Sequence, residues 1–117
     1  MTNTLRQQLK ADLTAAMKTQ NKPAVMALRA VLAEIDHAEA VDEQRPAWEP
    51  ILNKSAEVPR KVLTESDIWH IFETEIAARQ TAVAEYDQLG QTAEANQQRL
   101  ELAVLTQYLT RQDRDER

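Results

Sequence analysis

The sequence predicts an all-α fold of four helices arranged as two antiparallel hairpins, on three observations. Only one Gly and four Pro occur in 117 residues, and the chain is rich in Ala, Leu, Glu, Gln and Arg, which lose little freedom in a helix. Apolar residues recur three and four positions apart over four separate stretches, the spacing of a one-faced helix rather than a strand. The helix breakers fall where that spacing lapses: Pro23, then Pro46, Pro50 and Pro59, then Gly90.

The first helix is predicted from about Thr4 to Thr19, with Leu5, Leu9, Asp12, Leu13, Ala16 and Met17 on one stripe. Asn21 is the expected N-cap of the second helix, and Pro23 suits its first turn, where no backbone N–H is needed. That helix runs to about Val41 on Ala24, Val25, Leu28, Val31, Leu32, Ile35 and Glu39. A connection of a few residues makes the pair an antiparallel hairpin over residues 4–41. Residues 42–63 hold three prolines and are read as an irregular, Pro-containing loop. Its Trp48, Ile51 and Leu52 are apolar enough to fold over a core edge. Thr64-Glu65-Ser66-Asp67 reads as a capping box with Asp67 in the usual Glu position. It opens a third helix, which Gly90 ends near Leu89. The fourth helix runs to about Leu109 on Ala95, Gln98, Leu102, Leu105 and Leu109, completing a hairpin over residues 64–109. Residues 110–117 alternate in charge and are expected to fray. The whole chain, 1–117, is read as a single domain.

Composition narrows the chemistry. With no Cys, disulfides, thiolate catalysis and Cys-based zinc sites are excluded. No apolar run approaches the ~20 residues of a membrane span, and Arg6, Lys10 and Asp12 interrupt the N-terminal leucines where a signal core would lie. A cytoplasmic chain that does not touch the membrane is the expectation. The net charge of −5 is uneven. Residues 1–41 sum to +1, residues 42–63 to zero and residues 64–117 to −6. The second hairpin should repel nucleic acid, so any nucleic-acid contact would fall to the first half and linker, through Lys18, Lys22, Arg29, Arg45, Lys54, Arg60 and Lys61.

Polar residues that interrupt apolar stripes are the other candidates. The third helix presents Ile68, Phe72, Ile76, Val83 and Tyr86 on one stripe, with Glu75 and Arg79 inside it. They stand four apart, acid first, the favourable order for a helix ion pair. The expected reading is a structural pair that fixes packing, with Glu101 on the flank of the fourth helix as a third partner. An Arg aimed at a ligand and a catalytic carboxylate are the alternatives. Glu34-Ile35-Asp36-His37 and Asp67-Ile68-Trp69-His70 invite a metal reading, since such i, i+3 pairs hold metals inside bundles. At about 100° per residue both histidines fall opposite the apolar stripes, so no metal site is expected. Nor is any cofactor, because one Gly cannot build a Gly-rich phosphate loop.

The order and spacing of several motifs resemble one known family. Leu63-Thr64-Glu65, Glu75 with Arg79, Tyr86, Leu89-Gly90, Glu101 through Leu105 and Tyr108-Leu109 look like the second hairpin of the YqeY-like family. Ala15, Met17-Lys18, Leu28-Arg29 and Val31-Leu32 resemble its first. Gln91, Asn96, Gln97, Gln98 and Thr110 depart from its pattern. The family is similar to the tail of the B subunit of the glutamine-dependent aspartyl/glutamyl-tRNA amidotransferase. That resemblance implies a non-catalytic helical accessory domain of a carbon–nitrogen ligase, with weak tRNA contact. Family members typically continue into a second small helical subdomain, which this sequence lacks, and weak rather than tight tRNA binding is therefore expected. The alternatives are a protein–protein or self-association module, a homodimer included, and a ligase component that acts only in complex.

Overall fold

In the computed structural model, which describes residues 2–40 and 62–115, four helices follow one another: α1 Thr2–Lys18, α2 Lys22–Glu39, α3 Glu65–Gln88 and α4 Thr92–Asp115. No strand occurs among the described residues. The predicted loop lies outside them except at its end, where Val62 is exposed and Leu63 is only 3% exposed, a core residue the Pro-rich context concealed.

The helix ends follow from local chemistry. The Asn21 side chain accepts from the Ala24 N–H at 3.3 Å, and Pro23 occupies the first turn of α2. At α3 the capping box is reciprocal. Asp67 N–H donates to Thr64 Oγ1 at 3.1 Å, and Thr64 N–H donates to Asp67 Oδ2 at 2.9 Å, a pair of bonds worth about 1 kcal/mol. Gly90 takes φ 75°, so that Gln91 N–H reaches Tyr86 O and Gly90 N–H reaches Asp87 O, closing α3 in a Schellman motif.

The same motif ends α1 without a glycine. Gln20 sits at φ 58°, Gln20 N–H donates to Met17 O and Asn21 N–H to Ala16 O. A left-handed conformation costs a residue with a Cβ about 1–2 kcal/mol. Gln20→Gly is therefore expected to stabilise the protein by up to about 1 kcal/mol, read as a higher urea midpoint at unchanged slope. A lower midpoint would show that the Gln20 side chain contributes more than its backbone strain costs.

The helices pair as α1 with α2 and α3 with α4, and α2 joins the hairpins by packing on both α4 and α3. The joint core is built from Leu5 and Leu9 of α1, Ala27, Leu28, Val31 and Ile35 of α2, Leu63, Ile68 and Phe72, and Leu105 and Tyr108 of α4. Trp69, Phe72 and Tyr108 form an aromatic row, with centroids 5.1 and 5.2 Å apart. Toward the Gly90 turn the buried residues are instead Arg79, Ala95 and Glu101.

Three details depart from the periodicity. Met17, on the predicted stripe, is half exposed, while Ala27, off it, is fully buried, because α2 packs against three helices and needs a wider apolar face than one stripe. On α4 the buried residue is Tyr108, with Leu109 only partly covered. And α4 is helical to Asp115, with the Arg111 guanidinium 4.9 Å from the Tyr108 ring centre one turn earlier on the same helix, a cation–π contact.

Candidate functional site

Asp12, Glu39 and Arg79, which interrupt the apolar stripes of the sequence, each have a partner on another helix. Asp12 of α1 accepts a hydrogen bond from Tyr108 of α4. Glu39 of α2 pairs with Arg6 of α1. Arg79 of α3 pairs with Glu101 of α4 and with Glu75 of its own helix. The Arg79 cluster is the most buried. Its Nη1 donates to Glu75 Oε1 at 2.7 Å and its Nε to Glu101 Oε1 at 3.1 Å. Gln97 Nε2 donates to the other Glu101 oxygen at 3.0 Å.

One guanidinium is thus shared by two carboxylates, and an amide satisfies a remaining acceptor. The donor fork of Arg fits this arrangement and an ammonium would not. A carboxylate serving as general acid or base must reach a substrate, and here the acids face Arg79 across the α3–α4 interface. Gln97 was missed by the sequence reading, although its place four residues before Glu101 on the same helix was the available signal.

Tyr108 lies where the aromatic row meets the polar contacts. Burial pushes its phenol above the ordinary value, and the hydrogen bond to Asp12 and the Asp12 charge push the same way, while Arg111 pulls it down. The fold therefore favours the neutral phenol. An unfolded chain would ionise it near pH 10, so its contribution is present below about pH 10 and is lost as pH rises further. Melting temperatures between about pH 9 and 11 are expected to fall more steeply for the parent than for Tyr108→Phe. Equal alkaline slopes would remove Tyr108 as the titrating group.

An open groove of about 670 Å³ lies between the first turns of α1 and α3 and the last turns of α4, within the ~300–1,000 Å³ of ligand-binding clefts. Leu5, Trp69 and Tyr108 line it, Glu65 and Glu73 stand on its α3 side and Arg111 on its α4 side. No sequence signal marked it, because Glu65, Trp69 and Glu73 run beside the apolar stripe of α3 rather than on it.

The described members of the expected tRNA-contact set, Lys18, Lys22 and Arg29, do not line that groove. Lys18, Lys22 and Arg29 are exposed on α1 and α2, and none of the three makes an ion pair among the described residues. Arg45, Lys54, Arg60 and Lys61 lie outside the described residues. His37 and His70 are both exposed, and His70 Nδ1 lies 3.8 Å from Glu73 Oε1. Among the described residues no three acids or histidines group closely enough to hold a metal ion, and no helix is long and apolar enough to cross a membrane.

A family model described as Yqey-like protein matches residues 6–117, nearly the full chain. The chain belongs to the YqeY-like family. No curated protein and no solved structure matches it. Within this YqeY-like chain, the motifs that carried the resemblance hold the fold together. Thr64 caps α3, Gly90 ends it, and Glu75, Arg79 and Glu101 tie α3 to α4.

Proposed function

We propose that this YqeY-like chain is a non-catalytic helical accessory domain of the amidotransferase type. On this reading it supports glutamine-dependent tRNA amidation, a carbon–nitrogen ligase reaction, in the cytoplasm through weak contact with tRNA. The observation that carries the reading is the polar network itself. The buried groups best suited to acid–base or ligand chemistry, Glu75, Arg79 and Glu101, are engaged with one another. What the surface offers a partner is charge and shape.

Any tRNA contact runs through the exposed Lys18, Lys22 and Arg29 and, in sequence, through Arg45, Lys54, Arg60 and Lys61. These cations are scattered and interleaved with acids, and each phosphate contact they make is weakened by salt. Labelled tRNA is expected to bind with micromolar affinity at best at low salt and scarcely at physiological salt. Arg60→Glu with Lys61→Glu is expected to weaken it further. In an amidation assay the chain alone is expected to transfer no nitrogen from glutamine, and to alter the rate only with an amidotransferase present. Amidation by the isolated chain, or tight binding that survives salt, would overturn the reading.

A further inference from the structure

We propose that the chain associates with a second copy of itself, the solvent side of α2 in one copy seating in the groove between α1, α3 and α4 of the other. On the α3 wall of that groove Glu65, Trp69 and Glu73 stand at i, i+4 and i+8, one face of the helix over about 12 Å. The pattern is carboxylate, aromatic, carboxylate. On the solvent side of α2, Lys22, Met26 and Arg29 stand at i, i+4 and i+7 and are all exposed, spanning about 10 Å. That pattern is cation, thioether, cation.

The two stripes are complementary in charge, order and spacing. With the helices side by side and parallel at the ~8–10 Å of ordinary helix packing, Met26 falls against Trp69, Lys22 meets Glu65 and Arg29 meets Glu73. Sulfur packs favourably on an aromatic ring, and Met26 is 54% exposed. The Glu73 side chain is 65% exposed, and the basic group nearest to it, His70, is 3.8 Å away. The acidic wall disfavours nucleic acid as the occupant. The uneven charge of the two hairpins favours contact between unlike halves of two copies. Because the two surfaces differ, the contact closes as a dimer when made twice and extends as a chain when made once. Both raise mass with concentration.

Sedimentation equilibrium of the full, nucleic-acid-free chain tests this apart from the tRNA reading. Four proteins are compared: the parent, Arg29→Glu, Glu73→Arg, and the chain carrying both reversals. Circular dichroism confirms that each is folded, as substitutions at exposed positions should allow. The parent is expected to exceed the monomer mass of 13.3 kDa as concentration rises, and less so at high salt. Each single reversal is expected to weaken association at least about tenfold, and the doubly reversed chain to recover it. A mass that stays at the monomer value up to about 1 mM would overturn the proposal. So would association indifferent to both reversals, or loss without recovery in the doubly reversed chain.

Discussion

Arg79→Ala is expected to lower stability by about 3–5 kcal/mol, the usual cost of removing one partner from a buried ion pair. The Arg79 side chain is 10% exposed, and those of Glu75 and Glu101 are 18% and 6% exposed. Truncation leaves two carboxylates beside each other with Gln97 as the remaining donor to Glu101, so desolvation and like-charge repulsion both act against the fold. For a domain of this size such a loss lowers Tm by roughly 10–25 °C. The charges are not themselves the source of stability, because two acids and one base leave a buried net charge. Replacing the group together, Arg79→Met with Glu75→Leu and Glu101→Leu, is expected to recover most of the loss. Thermal unfolding followed by circular dichroism reads both. An unchanged Tm for Arg79→Ala would show that the cluster does not hold α3 to α4, and would free Arg79 for a ligand.

That cluster also shows what the sequence could disclose. A charged residue on an apolar stripe must be paired, since it cannot be left unsolvated. Asp12, Glu39, Glu75 and Arg79 were therefore legible as contact points before any partner was known. Helix spacing ties Glu75 to Arg79, and the position of Glu101 on the flank of the fourth helix makes it the third partner. Neither could show that Asp12 meets Tyr108 or that Glu39 meets Arg6, because those pairs join α1 to other helices, beyond the reach of spacing within one helix. The helices and their ends were legible for the same local reason, since Asn21, Thr64 and Gly90 act within four residues of themselves. Gln20 was not, because nothing in a Gln predicts φ 58°. The groove was hidden more deeply. Its α1, α3 and α4 walls come from opposite ends of the sequence, and it exists only once the hairpins are docked. The tRNA reading came from the family resemblance, and the charge sums that placed it say how much positive charge there is without saying whether it gathers.

Phe72→Ala should be the most damaging truncation of an apolar side chain. Phe72 is fully buried and lies between Trp69 and Tyr108, its ring tilted 43° and 37° to theirs. Deleting a buried phenyl ring costs about 3–5 kcal/mol, part lost transfer energy and part the cavity left behind. The rings on either side also lose their edge contacts, worth about 0.5–1.5 kcal/mol for each pair. Collapse around the void is restricted here. Trp69 lines the groove, Tyr108 is held by Asp12 and Arg111, and Ile68 and Leu105 belong to the same core. The whole stability of a small domain is about 5–15 kcal/mol, so the variant should be close to unfolding. In urea its midpoint is expected to fall sharply with little change of slope. Leu100→Ala, on a residue 54% exposed, supplies the comparison and should shift stability by no more than about 0.5 kcal/mol. If both truncations cost alike, helix propensity rather than the docking of the two hairpins would be holding the protein together, and the shared core around Phe72 would lose its place in the fold.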